Sequence, residues 1–538
     1  MTKALFAGWV MPTIVVLSVG CGKDEPEPLP EQPWLDPGAA CDPDRLPAAD
    51  TPDPEDDKDP QPVCAPGLAC EPLASGDGFV CGAELAIVGR VSDAFTGLGV
   101  EAARVVAFNA NGEPVTDVVV SDACGDYHLP ISRPREPNGD YVGGDLKWTL
   151  GVSARDYQPF PTGLRPALPI DIADAAPDPS FAADPPEDGE KKYAASLIDN
   201  AATRVALISL GADPPGVTVA GTLGPSGAGA LVVAEGAEAP APYGVADASG
   251  GYTLFNVPAG ATTVRAYRQG LAVTPAGVTV GTADMAMVDL AVTSTDPAGL
   301  ASVTGSLNIV NAPGGSVTSV VLVPASVYNE ALERGPVPLG LRDPPPPAAP
   351  DVDGSFALAG VPDGTYKVLV AFENDLLVRD PDPNIAGTQI QEITVAGGAA
   401  VAVADGFKVT EALAIRGPGV DGPEEVEGGP TFMWADDSSE EGYTVVVYDA
   451  LGSQVWTTDV ASGNGGDVSV AYGGPSLKAG MYYQFRVTSW REQMGERSSI
   501  SRTEDLRGVF YSGEAPPLPE CTVEEETGGE TGGSSDGG

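Results

Sequence analysis

A single histidine, His128 in "GDYHLPIS", limits the acid–base chemistry open to this chain. A catalytic zinc ion takes several histidine or carboxylate ligands and a separate base, and one imidazole cannot build that site. The same shortage leaves a Ser-His-Asp or Cys-His arrangement with His128 as its sole base, and no G-x-S-x-G element frames a nucleophile between a strand and a helix. No G-x-x-x-x-G-K-[ST] phosphate loop occurs. Paired carboxylates can hydrolyse glycosides, but among 76 acidic residues some pair always has suitable spacing, so the pairing discriminates nothing. Calcium is the ion these carboxylates would suit: Asp351 with Asp353, Asp380 with Asp382 and Asn384, and Asp436, Asp437, Glu440 and Glu441 all offer hard oxygen ligands. None has the spacing of an EF-hand loop, so solvated surface acids are expected, with no cofactor and no metal.

The seven cysteines carry the other reactive groups. Cys41, Cys64, Cys70 and Cys81 cluster in a short polar stretch without histidine or paired C-x-x-C, which predicts two disulfides and leaves three connectivities open. Cys124 and Cys521 stand alone, and a bond between them is the preferred expectation, against pairing between chains or free thiols. Cys21 belongs to the N-terminus, "MTKALFAGWVMPTIVVLSVGCGKDEPEP". One lysine precedes an apolar run broken by Gly8 and Pro12, too short for a membrane span, which reads as an export signal. A small residue before a cysteine, then polar sequence, resembles the bacterial lipoprotein signal, which implies a lipid on Cys21. Ser18 stands where that family prefers an aliphatic residue, with Leu17 one place off.

The elements that would carry such groups are strands. Lys and Arg number 28 against those 76 acids, a formal charge of −48, so nucleic acid and anionic lipid surfaces should repel the chain and no nucleic-acid partner is expected. Gly 68 and Pro 53 mark a turn-rich chain, while 42% hydrophobic residues suffice for real cores. In "TYKVLVAF" the apolar residues alternate, with Tyr366, Val368, Val370 and Phe372 on one face, as in a half-buried strand. The strand "SFALAGV" precedes it, linked by Pro362-Asp363-Gly364, where Pro362 presets φ and Gly364 is expected to take a positive φ.

The same phrase stands 104 residues earlier. "SGGYTLFNVPAGATTVRAY" places Gly250 under Gly354, Tyr252 under Phe356, and Pro258 and Gly260 under Pro362 and Gly364. An aspartate lies three residues before each first glycine, Asp247 and Asp351, and "DACGDYHL" repeats the spacing with Asp122 and Gly125. An aspartate can close a tight turn onto backbone N–H groups while the glycine supplies the permissive conformation. Each copy follows paired short strands, "AIVGRV" with "ARVVAF", "VTVAGTL" with "ALVVAE", and "ASVTGSL" with "VTSVVLV".

This order of motifs resembles the carboxypeptidase regulatory-like family, small prealbumin-like sandwiches with a carbohydrate-binding-like fold, over about residues 84–413. The resemblance implies a fold and, through it, a possible glycan ligand; it implies no protease. The segment with Trp434, Leu477, Gly480, Tyr483, Phe485 and Val487 resembles fibronectin type III domains, which would make Trp434 and Tyr483 core residues.

The expected architecture is all-β, tandem antiparallel sandwiches behind a disordered acidic spacer. Residues 1–20 are the signal, 21–60 the spacer, 61–83 a disulfide-stapled segment with Cys41, 84–213, 214–297 and 298–413 three regulatory-like sandwiches, 414–513 the fibronectin-like one, and 514–538 a disordered tail. The expected function is a non-catalytic, lipid-anchored envelope protein, outer membrane by preference, whose sandwiches form a stalk and binding surface. A glycan-binding protein, or a docking subunit for an envelope assembly, are the alternatives.

Overall fold

The computed structural model describes residues 33–43, 62–109, 112–141, 147–161, 167–183, 191–211, 216–236, 239–310, 318–330, 334–344, 352, 354–372, 390–404, 407–410, 412–437, 440–463, 465–493, 495–503 and 506–513. Strands dominate them, and the one α-helix there, Pro179–Ala183, is a single turn. The signal, Cys21 and the C-terminal tail with Cys521 lie outside the described residues, as do Asp351 and Asp353.

Each repeat builds two facing sheets by the same pairings. Leu85–Asp93 pairs antiparallel with Asp126–Pro130, and Arg104–Phe108 with Lys147–Ser153. In the second copy Val217–Thr222 pairs with Gly251–Val257, and Leu231–Glu235 with Gly260–Tyr267. In the third, Ala301–Val310 pairs with Ser355–Val361, and Thr318–Pro324 with Gly364–Phe372. The closing strands run parallel to the opening ones: Ser196–Ile198 and Val205–Leu207 beside Leu85–Asp93, and Val401–Ala402 and Phe407–Thr410 beside Ala301–Val310.

The repeated turns carry the chain between the two layers. Gly251–Val257 and Gly260–Tyr267 belong to different sheets, and so do Ser355–Val361 and Gly364–Phe372, so Pro258 and Pro362 sit at a passage between sheets. A residue without N–H costs nothing where no ladder continues. Gly260 takes φ +142° as expected, but Gly364 has no positive φ, and that expectation is corrected. Gly364 is instead fixed by packing: a Cβ there would lie 2.7 Å from the Tyr267 ring of the second sandwich.

The aspartate turns form in detail. Asp122 Oδ1 accepts from Cys124 N at 2.8 Å and Asp126 N at 2.9 Å, while Gly125 N donates to Asp122 O at 2.9 Å. Asp247 repeats this with Ser249 N at 3.1 Å and Gly251 N at 2.9 Å, and Gly250 N donates to its carbonyl at 2.7 Å. With Gly125 at φ +77° and Gly250 at +81°, this is a type I turn closed by a glycine bulge. Gly354, at φ +86°, holds the same place in the third copy. The fourth sandwich uses it too: Asp449 Oδ1 accepts from Leu451 N and Ser453 N, beside Gly452 at φ +78°.

A second recurring device is a glycine facing an aromatic ring across the ladder. Gly89 pairs with Tyr127, Gly221 with Tyr252 and Gly305 with Phe356. The closing segment passes directly over the first two glycines, and the tyrosine hydroxyl donates to its carbonyl: Tyr127 to Thr203 O at 2.6 Å, and Tyr252 to Val288 O. A Cβ at Gly221 would fall well inside contact with Val288 O. Gly221→Ala is therefore expected to cost about 2–3 kcal/mol, the price of overpacking a close contact. Gly277→Ala, where an added methyl meets nothing within 4 Å, is the neutral control in denaturant titrations.

The sandwiches do not stand apart. In Leu231–Glu235, Val232 and Ala234 face the second sandwich's own core, whereas Leu231 and Val233 join a core that also holds Val320–Val323 of the third sandwich and Val106 and Phe108 of the first. Leu369 is buried in that shared core although it alternates with Tyr366, Val368 and Val370. The first three sandwiches thus close around a common interior, which their tandem order in the sequence did not reveal. The physical reason is that their central strands are apolar on both faces, and both faces must leave water.

The fourth sandwich places Ile415–Gly417, Thr431–Ala435 and Asp467–Ala471 opposite a larger sheet centred on Gly442–Asp449 and Tyr482–Gln493. Trp434 and Tyr483 are core residues, Trp434 packing edge-on to Tyr443 at 5.3 Å. Lys478 N donates to Tyr483 Oη at 2.9 Å, the bond of a tyrosine corner. This sandwich meets the first through Ala450, Met481 and Tyr482, and through Lys147 Nζ, which donates to Asp421 O at 2.8 Å.

The spacer expectation is corrected over residues 33–43. Trp34–Leu35 pairs with Val63–Cys64, and Ala40–Cys41 with Phe79 and Val80, inside the disulfide unit. That unit docks on the first sandwich through a buried ion pair, Arg135 with Glu71.

Candidate functional site

The groups that sequence alone put forward for chemistry are spread over the body. His128 is half-exposed on the outer face of Asp126–Pro130, 3.4 Å from Glu84. Cys41 bonds Cys70 and Cys64 bonds Cys81, which decides the connectivity. Each closes a loop, of 29 and 17 residues, worth about 3 kcal/mol in a chain-entropy account. Cys124 is also disulfide-bonded, so neither it nor the stapled cysteines offers a thiolate to a metal.

The acidic clusters are engaged by the protein itself. Asp436 accepts from Gly465 N at 2.7 Å, Gly463 N at 3.2 Å and Tyr443 Oη at 2.8 Å, and Asp437 from Ser489 Oγ at 2.9 Å. Burial, with Asp436 and Asp437 nearby, raises the Glu440 carboxyl above its usual range. Asp380, Asp382 and Asn384 lie outside the described residues. The described tryptophans do not form an open stacking platform: Trp34 is half-buried in its strand beside Val63, Trp148 and Trp434 are buried, Trp456 packs against Phe432 and Tyr472, and Trp490 lies under Arg497.

Among the turn aspartates, Asp247 shows how charge and turn are coupled. Burial pushes its carboxyl up, but hydrogen bonds from Ser249 and Gly251 and the Arg104 charge outweigh burial and hold it below the ordinary value. Stability from a depressed carboxyl is present above its unfolded value, about 3.9, and is lost as pH falls through the folded one. Asp247→Asn keeps an acceptor without the charge. It is expected to cost about 1 kcal/mol at neutral pH and nothing once wild type is protonated, checked by melting curves from pH 7 to pH 2.

The concave feature with ligand dimensions was not legible as a motif. A cavity of about 390 Å³ opens where the sandwiches meet. The first sandwich contributes Phe108 and Tyr157, the second Tyr243 and Phe255, the third Val321 and Leu369, and the fourth Leu506. Five prolines, Pro159, Pro161, Pro240, Pro242 and Pro336, stiffen its rim. Asn256, at φ +57°, clamps one wall: Asp156 N donates to its Oδ1 at 2.9 Å, and its Nδ2 donates to Tyr157 O at 2.8 Å. Behind the lining residue Asn109, and outside the lining itself, Glu113 is buried and accepts from Asn109 Nδ2 at 3.0 Å and from Gly340 N at 2.9 Å. Runs such as "RVVAF", "LVVAE" and "SVVLV", continuous rather than alternating, were the sequence signal that these strands bury both faces.

No family model and no curated protein matches the chain. Among solved structures, catechol 1,2-dioxygenase from Acinetobacter sp. ADP1 is 17% identical with a TM-score of 0.16, over 24% of this chain and 53% of that one. The chain thus spans about half the length of that enzyme. A DUF3823 family protein from Bacteroides ovatus is 12% identical over 39% of this chain and 98% of its own, with a TM-score of 0.19. Two B repeat units of the collagen binding protein of Staphylococcus aureus are 13% identical over 78% of this chain and 99% of their own, with a TM-score of 0.14. Scores this low leave the all-β architecture to be read from the chain's own sheets.

Proposed function

We propose that this chain is a non-catalytic, lipid-anchored protein of the cell envelope whose joined sandwiches form one ligand-binding body. The observation that carries this reading is the junction cavity, a pocket of ligand size walled by apolar side chains, while the single histidine lies on an outer face. Three regulatory-like sandwiches are supported by the glycine–aromatic pair at one place in each copy, and a fibronectin-like fourth by the Tyr483 corner. The lipoprotein-like signal supports a lipid on Cys21, and the acidic spacer up to residue 32 holds the body off the membrane. Gly22-Lys23 after the cysteine favours the outer membrane. With the Cys21 sulfur carrying lipid, Cys521 is the remaining partner in the sequence for Cys124, a pair that a non-reducing peptide map checks.

The test is metabolic labelling with an alkyne fatty acid, followed by envelope fractionation. The wild-type chain is expected to carry label and to stay with the membranes, and Cys21→Ser to lose both. An unlabelled, soluble wild-type chain overturns the anchor.

A further inference from the structure

Acidic residues make up 76 of the chain's 538 positions, yet none of the 26 residues lining the junction cavity is acidic. The one formal charge there is positive, Arg334. In a chain of charge −48 this wall stands out chemically from the rest of the surface. Most of it is valine, leucine, proline and aromatic ring, so most of an occupant must be apolar.

Tyr243 offers an occupant a polar group. The Tyr243 hydroxyl lies in a desolvated setting that pushes its pKa up to about 12, so it remains a neutral donor at any physiological pH. Among the described residues nothing hydrogen-bonds it. The ring is half-buried and lines the cavity, so a ligand oxygen that accepted from this hydroxyl would add a hydrogen bond that the free protein lacks. Asn256, by contrast, already spends its amide on Asp156 and Tyr157. A saccharide brings hydroxyls all round and would leave most of them unpaired against these walls. An ammonium would meet Arg334 and no carboxylate.

We infer that the junction cavity binds a small apolar carboxylic acid, its chain or ring among the valines and aromatics of three sandwiches and its oxygens toward Tyr243 and Arg334. This rests on the reading of the body as a binding protein and names the ligand class for it. Because the walls come from different sandwiches, an occupant that binds only the assembled body stabilises all of it, and the melting temperature rises with ligand concentration.

Titration calorimetry and thermal melts of the full chain test this with decanoic acid, methyl decanoate and cellohexaose. Decanoic acid is expected to bind and to raise the melting temperature, and cellohexaose to do neither. Tyr243→Phe keeps the ring and is expected to weaken decanoic acid about 2- to 10-fold, the worth of one neutral hydrogen bond. Ser153→Phe fills the cavity from its half-buried rim and is expected to weaken binding at least about 10-fold; Thr149→Phe replaces it if its melting curve shows misfolding. Methyl decanoate bound as tightly as the acid overturns the acid head while keeping the apolar site. No binding of acid or ester, or binding unchanged in the filled variant, overturns the site. Cellohexaose binding alone overturns the ligand class but leaves a binding protein, and loss of the Cys21 label alone removes only the anchor.

Discussion

Val233→Asp is expected to destabilise the protein by at least about 3 kcal/mol and to split its unfolding into separate steps. In a string of independent sandwiches Val233 would face water, since its neighbours Val232 and Ala234 face the second sandwich's own core. It is instead fully buried with Val320–Val323 of the third sandwich and Phe108 of the first, so an aspartate there is a charge taken out of water, and Arg265 across the ladder is already paired with Glu235. Thr279→Asp, at an exposed position of the same sheet, is expected to stay within about 0.5 kcal/mol. Calorimetry decides: one cooperative transition for the first three sandwiches in wild type, more than one in Val233→Asp. Equal melting of the two variants would mean that the common interior contributes nothing.

The second large effect concerns Glu71 and Arg135, which are almost completely buried. Arg135 Nε donates to Glu71, Nη1 to Gly139 O at 2.8 Å and Nη2 to Ala83 O at 2.6 Å, and its guanidinium lies 3.6 Å from the centre of the Tyr141 ring. Glu71→Ala strands that cation, and a loss of about 3–5 kcal/mol is expected. Desolvation raises the Glu71 carboxyl above its usual range even against Arg135, so burial is the larger effect on this group. The double variant Glu71→Leu with Arg135→Met should therefore recover most of the loss. Melting temperature and the rate of proteolysis within residues 62–83 report both. A double variant as unstable as the single would show that the pair's hydrogen bonds, rather than its charges, hold the disulfide unit in place.

Much of the fold was legible because it is written locally. An aspartate three residues before a glycine closes onto its own backbone wherever it stands, so Asp122 and Asp247 could be assigned from spacing, and the turn geometry followed. Alternation in "SFALAGV" and "YTLFNV" fixed which residues face a core, because side-chain direction in a strand repeats every two residues. Trp434 and Tyr483 are also buried, but they were expected there from the resemblance of their segment and not from alternation.

What the sequence alone left open depends on which surfaces meet. Gly364 was assigned to backbone freedom, but what forbids a side chain there is the ring of Tyr267, 97 positions earlier in the chain. The two layers joined by Pro258 and Pro362, the choice among three cysteine pairings, and the second buried face of "LVVAE" and "SVVLV" are likewise set by distant partners. The cavity belongs with these. Its walls are short pieces of four sandwiches, such as 240–243 and 334–337, far apart in the sequence, and they converge only because apolar outer faces bury one another and leave an unfilled space where curved sheets meet. Local periodicity determined the modules; long-range burial decided that they pack together with a pocket where they meet.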